Sequence, residues 1–170
     1  MGLRDRVEPV GASAPRIPVL TGRAWTFADG LRAADVLPPV AWNLAPPDAA
    51  RHLFAGLDPT LAARLEPGDV LVAGQQLGGG QGGPAAALAL RAAGILAVVA
   101  ASYADGFADA LLDAGVPGLE VDAPAVFHTG QQLRINLEAG TIANLSSGDR
   151  QPVRNLTEAM LARLRDLLGG

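Results

Sequence analysis

Apolar and polar positions change their rhythm along the chain, and the changes mark out the elements. Between Arg23 and Phe27, Trp25 and Phe27 stand two apart, which puts both rings on one face of a short strand. From Ala28 to Pro47 no period survives, because Pro38, Pro39, Pro46 and Pro47 interrupt it; Trp42 and Asn43 fall inside this stretch. Asp48 is placed to cap a helix running through His52 to Leu57. A second short helix is predicted at Leu61–Leu65, ended by Pro67-Gly68.

The middle of the chain is the clearest. Asp69–Ala73 is an apolar strand entered from a Pro-Gly turn. It runs into a loop of Gly, Gln and Leu from Gly74 to Gly83. Pro84 then opens an Ala-rich helix to about Ala93, a position where proline forfeits no hydrogen bond. After Gly94, Ile95–Ala101 reads as a second strand, apolar throughout as parallel strands are. Tyr103–Ala114 reads as a helix with Phe107, Leu111 and Leu112 inward, and Gly118–Val121 as a third strand. Strand, helix, strand, helix, strand over 69–121 implies a parallel sheet with right-handed crossovers. Alternation then returns in Gln132–Leu137 and Thr141–Leu145, predicting a β-hairpin around Glu138-Ala139-Gly140. In the tail, Met160, Leu161, Leu164, Leu167 and Leu168 follow helical spacing over Thr157–Leu168. Residues 1–18 read as an extended arm and 19–170 as one mixed α/β domain.

Composition narrows the chemistry. An apolar fraction of 49% against 18% charged residues is enough for a core. No apolar run nears the length of a membrane span, and the start has no signal-peptide core, so a cytoplasmic protein is expected. The chain has no cysteine, so disulfides, thiolate metal sites and cysteine nucleophiles are excluded. His52 and His128 are far apart in sequence, and no metal site is expected in this chain. All 13 basic residues are arginine, which excludes a P-loop lysine or a Schiff base. The net charge of −4 and the dispersed arginines argue against a nucleic-acid partner.

The glycine-rich loop admits more than one reading. Between a strand and a helix N-terminus it is a natural anion site, because free N–H groups and the helix dipole favour negative charge. Gly78, Gly80 and Gly83 satisfy G-x-G-x-x-G, but so many glycines would fit many spacings. A dinucleotide site would also want an acid for the ribose, and the acid available, Asp105, falls after a turn. A tight turn with no ligand is the plain structural alternative.

Gly68–Gly74, the glycine loop and Ser102-Tyr103-Ala104-Asp105 with Phe107 together resemble the aconitase superfamily. The closer resemblance is to the small (swivel) subunits of isopropylmalate dehydratases and homoaconitases. Gly22–Phe27 resembles the first strand of that family, and Leu137–Leu145 its late hairpin. The resemblance implies a β/β/α swivel domain that docks on a large subunit. That partner would hold a 4Fe-4S cluster, and the pair would move water across a hydroxy di- or tricarboxylic acid. This chain would carry no cofactor itself and would touch the carboxylic acid through Gly78, Gly79, Gly80, Gln81, Gly82, Gly83 and Arg32.

Departures from the family concentrate at its chemistry. Where the family's loop continues Gly-Ser-Ser-Arg-Glu-His, this chain reads Gly80-Gln81-Gly82-Gly83-Pro84-Ala85. Gln81 and Gly82 stand for the paired serines and Gly83 for the arginine. Arg32-Ala33-Ala34 stands for the family's Asp-Thr-Asp, and Ala110 and Asp113 for its asparagines. Two explanations stay open: a degenerate paralogue acting as a structural or regulatory partner, or a divergent active subunit. Arg32 is a candidate to replace the lost cation if its loop folds over the glycine turn. Trp42 is either a core residue or an interface anchor. His128 is expected in a turn and His52 on a solvated helix face. Arg154, Arg163 and Arg165 are expected on a solvated face opposite the leucines of the tail.

Overall fold

The computed structural model describes residues 16–169. Its elements are β1 (Leu20–Thr26), α1 (Ala33–Val36), α2 (Pro46–Ala49), α3 (Leu61–Arg64), β2 (Val70–Val72) and α4 (Gly83–Ala92). They continue as β3 (Ala97–Ala100), α5 (Phe107–Ala114), β4 (Gly118–Glu120), β5 (Gln132–Asn136), β6 (Thr141–Asn144), β7 (Arg150–Pro152) and α6 (Glu158–Leu168). One seven-stranded sheet runs in the order β4-β3-β2-β1-β5-β6-β7. The pairs from β1 to β4 are parallel and those from β1 through β5 and β6 to β7 antiparallel. The predicted parallel core, hairpin and C-terminal helix are all present; β7 is an added edge strand that the sequence pattern does not announce. Its three residues, Arg150–Pro152, alternate nothing apolar, so only pairing with β6 defines it.

Period-2 alternation divides the core between the two faces of the sheet. Trp25, Leu71 and Val98 share one face and are covered by Ala86, Ala87 and Leu90 of α4 and Phe107 and Leu111 of α5. Ala24, Val70 and Ala97 share the other, continuous with Leu133, Ile135 and Ile142 and closed by Leu164 of α6. Strands stepping in one direction from β2 to β4 place α4 and α5 on the same side, as right-handed crossovers require. No helix among the described residues is long and apolar enough to cross a membrane.

Several expectations need correction. Asp48 is not a cap: Pro46 and Pro47 occupy the first helical positions, where no N–H is needed, so Ala45 becomes the N-cap. The helix continues only as a 3-10 turn over Ala50–His52 and stops well short of Leu57. Tyr103 is not helical. Residues 102–104 are held extended because Leu77 N donates to Ser102 O (3.1 Å) and Ala104 N to Leu77 O (2.9 Å), so α5 starts at Phe107. The Tyr103 hydroxyl instead sits between the carbonyl oxygens of Val98 (2.9 Å) and Leu119 (3.0 Å).

Arg154 and Arg163 are exposed as expected and Arg165 is half-buried, and each is paired. Arg154 lies before α6 and reaches Asp122 (3.1 Å), Glu120 (3.4 Å) and the Ala101 carbonyl (2.6 Å). Arg163 meets Asp113 at 2.9 Å and Arg165 forks Glu138 at 2.8 and 3.2 Å. Most of the predicted arm, residues 1–15, lies outside the described residues. Its end is packed: Ile17 is buried and its N–H donates to Glu138 at 3.0 Å.

Buried Asp69 ties β1 to the entry of β2. Its Oδ2 accepts from Trp25 Nε1 (2.7 Å), Glu66 N (2.9 Å) and Arg23 Nη2 (3.1 Å). Removing one acceptor strands buried donors, so Asp69→Ala should cost about 2–4 kcal/mol in urea unfolding. A loss within the scatter of surface substitutions would contradict this role. The Arg165 fork and the Ile17 N–H hold the Glu138 carboxyl down at about 2 from the ordinary 4.5. A depressed carboxyl favours the native state above about 4.5, and that contribution fades as pH falls towards 2. Thermal melts between those limits should therefore decline less steeply for Glu138→Gln than for the wild type.

Candidate functional site

Residues 74–83 contain only glycine, glutamine and leucine, so the loop carries no hydroxyl, acid or cation of its own. What shapes it is backbone pairing with two neighbouring loops. Gly78 N donates to Leu31 O (2.7 Å), Ala33 N to Gly79 O (2.9 Å) and Gly30 N to Gln75 O (2.8 Å). On the other side Leu77 bridges Tyr103. Short polar side chains complete the lacing: Asp29 Oδ1 accepts from Gln75 N (2.7 Å) and Ser102 Oγ from Gln76 N (2.9 Å). Asp29 carries no pattern in the sequence, and Ser102, though part of the stretch that resembles the family, gives no sign of this bond beyond a general tendency of such residues to bond nearby backbone N–H groups.

Two aromatic rings fill what side chains would otherwise occupy. A Cβ on Gly82 would meet the Trp42 ring, and one on Gly78 the Phe107 ring. Both glycines also have positive φ, 91° at Gly78 and 96° at Gly82. Trp42 is half-buried, packs on the core and is tethered by Nε1–H donating to Leu37 O at 2.7 Å. Its role as a core residue over the loop is therefore visible.

The structure brings Arg32 to the loop. Arg32 bridges Gly79, and its guanidinium lies 3.2 Å from the Cβ position of Gly80. Asp35 fixes the turn by accepting from Arg32 N at 2.9 Å. Gln81 is exposed, and Gly83 is the first residue of α4, with Pro84 after it. A cleft of about 400 Å³ lies between the loop and α5, lined by Gly80, Gln81, Gly82, Asp105, Phe107 and Ala110. A larger crevice of about 480 Å³ opens at the C-terminal ends of β1 to β4, with Asp29, Gln75 and Asp122 on its walls. Ligands of open α/β sheets bind at that end of the strands. The other candidates lie elsewhere: His52 is half-buried in its 3-10 turn and His128 is exposed, its N–H donating to Gln131. Asp113 is occupied by Arg163.

The chain's relatives decide the family. A family model, the Aconitase C-terminal domain, matches residues 60–124. The 3-isopropylmalate dehydratase small subunit 2 of Archaeoglobus fulgidus is 32% identical over 149 residues, covering 86% of this chain and 90% of that protein. The chain belongs to the 3-isopropylmalate dehydratase small-subunit family. The methanogen homoaconitase small subunit of Methanothermobacter thermautotrophicus is 30% identical, covering 87% of this chain and 86% of its own length. The crystal structure of the Methanocaldococcus jannaschii 3-isopropylmalate dehydratase superposes with a TM-score of 0.81 at 25% identity, covering 90% of each chain. The aconitase-type swivel architecture expected from the resemblance is therefore the one observed. The dinucleotide alternative loses its footing, since the parallel strands of the described sheet run β1 to β4 without the reversal of order that makes a nucleotide crevice.

The packing of Trp42 on Gly82 has a measurable consequence. Gly82→Ala should destabilise the chain by about 2–4 kcal/mol, from the left-handed backbone and the ring together. In a Trp42→Ala background only the backbone part, about 1–2 kcal/mol, should remain. Equal costs in both backgrounds, measured by chemical denaturation, would mean that the ring does not constrain residue 82.

Proposed function

We propose that this chain is a degenerate paralogue of the small subunit of isopropylmalate dehydratase-type hydro-lyases, one that docks on a large subunit as a structural or regulatory partner and supplies no proton-transfer group. The observation that carries this is a loop built and packed like a working element whose side chains are only Gly, Gln and Leu. A glutamine amide neither accepts nor releases a proton near neutral pH, so Gln81 cannot act as the base that removes a proton α to a carboxylate. The Trp42 ring also occupies the space that a side chain at residue 82 would need.

A large subunit is the partner this reading requires. The 4Fe-4S cluster implied by the family would need thiolates, and this chain has no cysteine. Nor do the described residues gather three or more His, Cys, Asp or Glu that could hold a metal ion. The residues present do not fit the cluster as a group of this chain, so it is assigned to the partner. The complex would form in the cytoplasm and hold a small hydroxy carboxylic acid without converting it. The chain's contribution is then a docking surface and a shaped wall for the site.

One observation favours a second reading, the divergent active subunit. Arg32 lies over Gly80 beside the loop. A guanidinium there can fork a substrate carboxylate, an interaction of about 2–3 kcal/mol, and so restore the grip missing at Gly83.

Co-expression with a cognate large subunit, cluster reconstitution, and assay of isopropylmalate and homoaconitate isomerisation separate these readings. The first predicts a stable complex without turnover. Turnover that falls at least tenfold in Arg32→Gln would establish the second. Failure of the two chains to associate would overturn both.

A further inference from the structure

The outer face of the antiparallel half of the sheet carries a feature unconnected with the glycine loop. On the inner face Leu133, Ile135 and Ile142 are buried under α6. By alternation, Arg134, Asn136, Thr141, Ala143 and Arg150 point the other way. The register aligns Arg134 with Ala143 and Ala143 with Arg150, so the two arginines flank a small residue in one cross-strand row. Strands about 4.8 Å apart place their backbones roughly 10 Å from each other, within reach of two long side chains converging over Ala143. Together with Asn136 and Thr141 they line a cleft of about 250 Å³.

The chemistry of this cleft is one-sided. Arg23, Arg64, Arg154, Arg163 and Arg165 each meet a carboxylate. Arg134 and Arg150 meet none among the described residues, and no acid lines the cleft. Asn136 uses its Oδ1 to accept from Ala139 N at 2.9 Å, which leaves its amide hydrogens for a ligand. The Thr141 hydroxyl is a further donor. Two guanidinium forks, an amide and a hydroxyl around a small floor form a donor set with no built-in counter-charge, on a chain whose net charge is −4. The two arginines stand on either side of Ala143 in one cross-strand row, and an anion between their converging guanidinium groups would accept charge-assisted hydrogen bonds from both.

We propose that this cleft binds a compact oxyanion carrying two or more negative charges, a phosphate or a polycarboxylate, on the face of the sheet remote from α6. The site does not depend on the assignment of the glycine loop. Isothermal titration of the full chain with inorganic pyrophosphate and, separately, with citrate tests it and distinguishes the two ligand sources. Saturable 1:1 binding of at least one probe is expected, weakened at least tenfold in the double variant Arg134→Gln/Arg150→Gln and by a smaller factor in each single variant. Arg32→Gln, at the glycine loop, should leave that affinity within twofold. These side chains are exposed, so thermal melts of the variants should match the wild type. Absence of saturable binding by both probes, or binding unchanged in the double variant, would overturn the proposal.

Discussion

No side chain can grow at residue 78 or 82 without meeting a ring, and the rest of the site follows from that. Phe107 and Trp42 lie against the backbone of the glycine loop from either side. The loop in turn holds the chain segments around Leu31 and Ser102 through backbone hydrogen bonds. A structure in which glycines are merely slack would leave these positions open to solvent. Here the space is filled, so the backbone conformation and the aromatic packing depend on each other.

This arrangement separates the scaffold from the loop that the proposed function leaves without a proton-transfer group. The two sheet faces, the crossovers and the strand ends that frame the crevice are set by apolar positions remote from the loop. Of the loop's side chains only Leu77 enters that packing, so exposed Gln81 can vary without disturbing the core. With the Trp42 ring in the place of a side chain at residue 82, a serine there is opposed by sterics and by backbone strain at once. Residue 83 is different: it sits at the start of α4 with ordinary helical geometry, and a Cβ there meets Phe107 at 3.4 Å. Arg32 reaches the loop from α1's entry and lies against Gly79 and Gly80.

Much of this was legible in the sequence, and the failures have physical causes. The parallel core read correctly because Val70–Val72 and Ala97–Ala100 are buried on both faces and so are apolar throughout. The hairpin read correctly because Leu133, Ile135 and Ile142 alternate with polar residues on a half-solvated sheet. The start of α5 was misplaced because Tyr103 is bound to strand carbonyls and its backbone to Leu77, long-range pairings that no local pattern reports. The ion pairs of the tail arginines are hidden in the same way, since their carboxylate partners are distant in sequence. At the site, Gln81, Gly82 and Gly83, where the resemblance implies serines and an arginine, were visible as letters. That Trp42 closes the space at Gly82 needed the fold, since forty residues of sequence separation hide the contact.

The central claim is that the loop is prebuilt by this chain alone, before any partner binds. Amide hydrogen exchange on the isolated chain tests it directly, residue by residue. The backbone bonds require protected amides at Gly78, Ala33 and Ala104, which donate to Leu31, Gly79 and Leu77, and protection there should be comparable to that in β2 and β3. Exchange of those three amides at the rate of an unstructured peptide, with the strands still protected, would contradict the account.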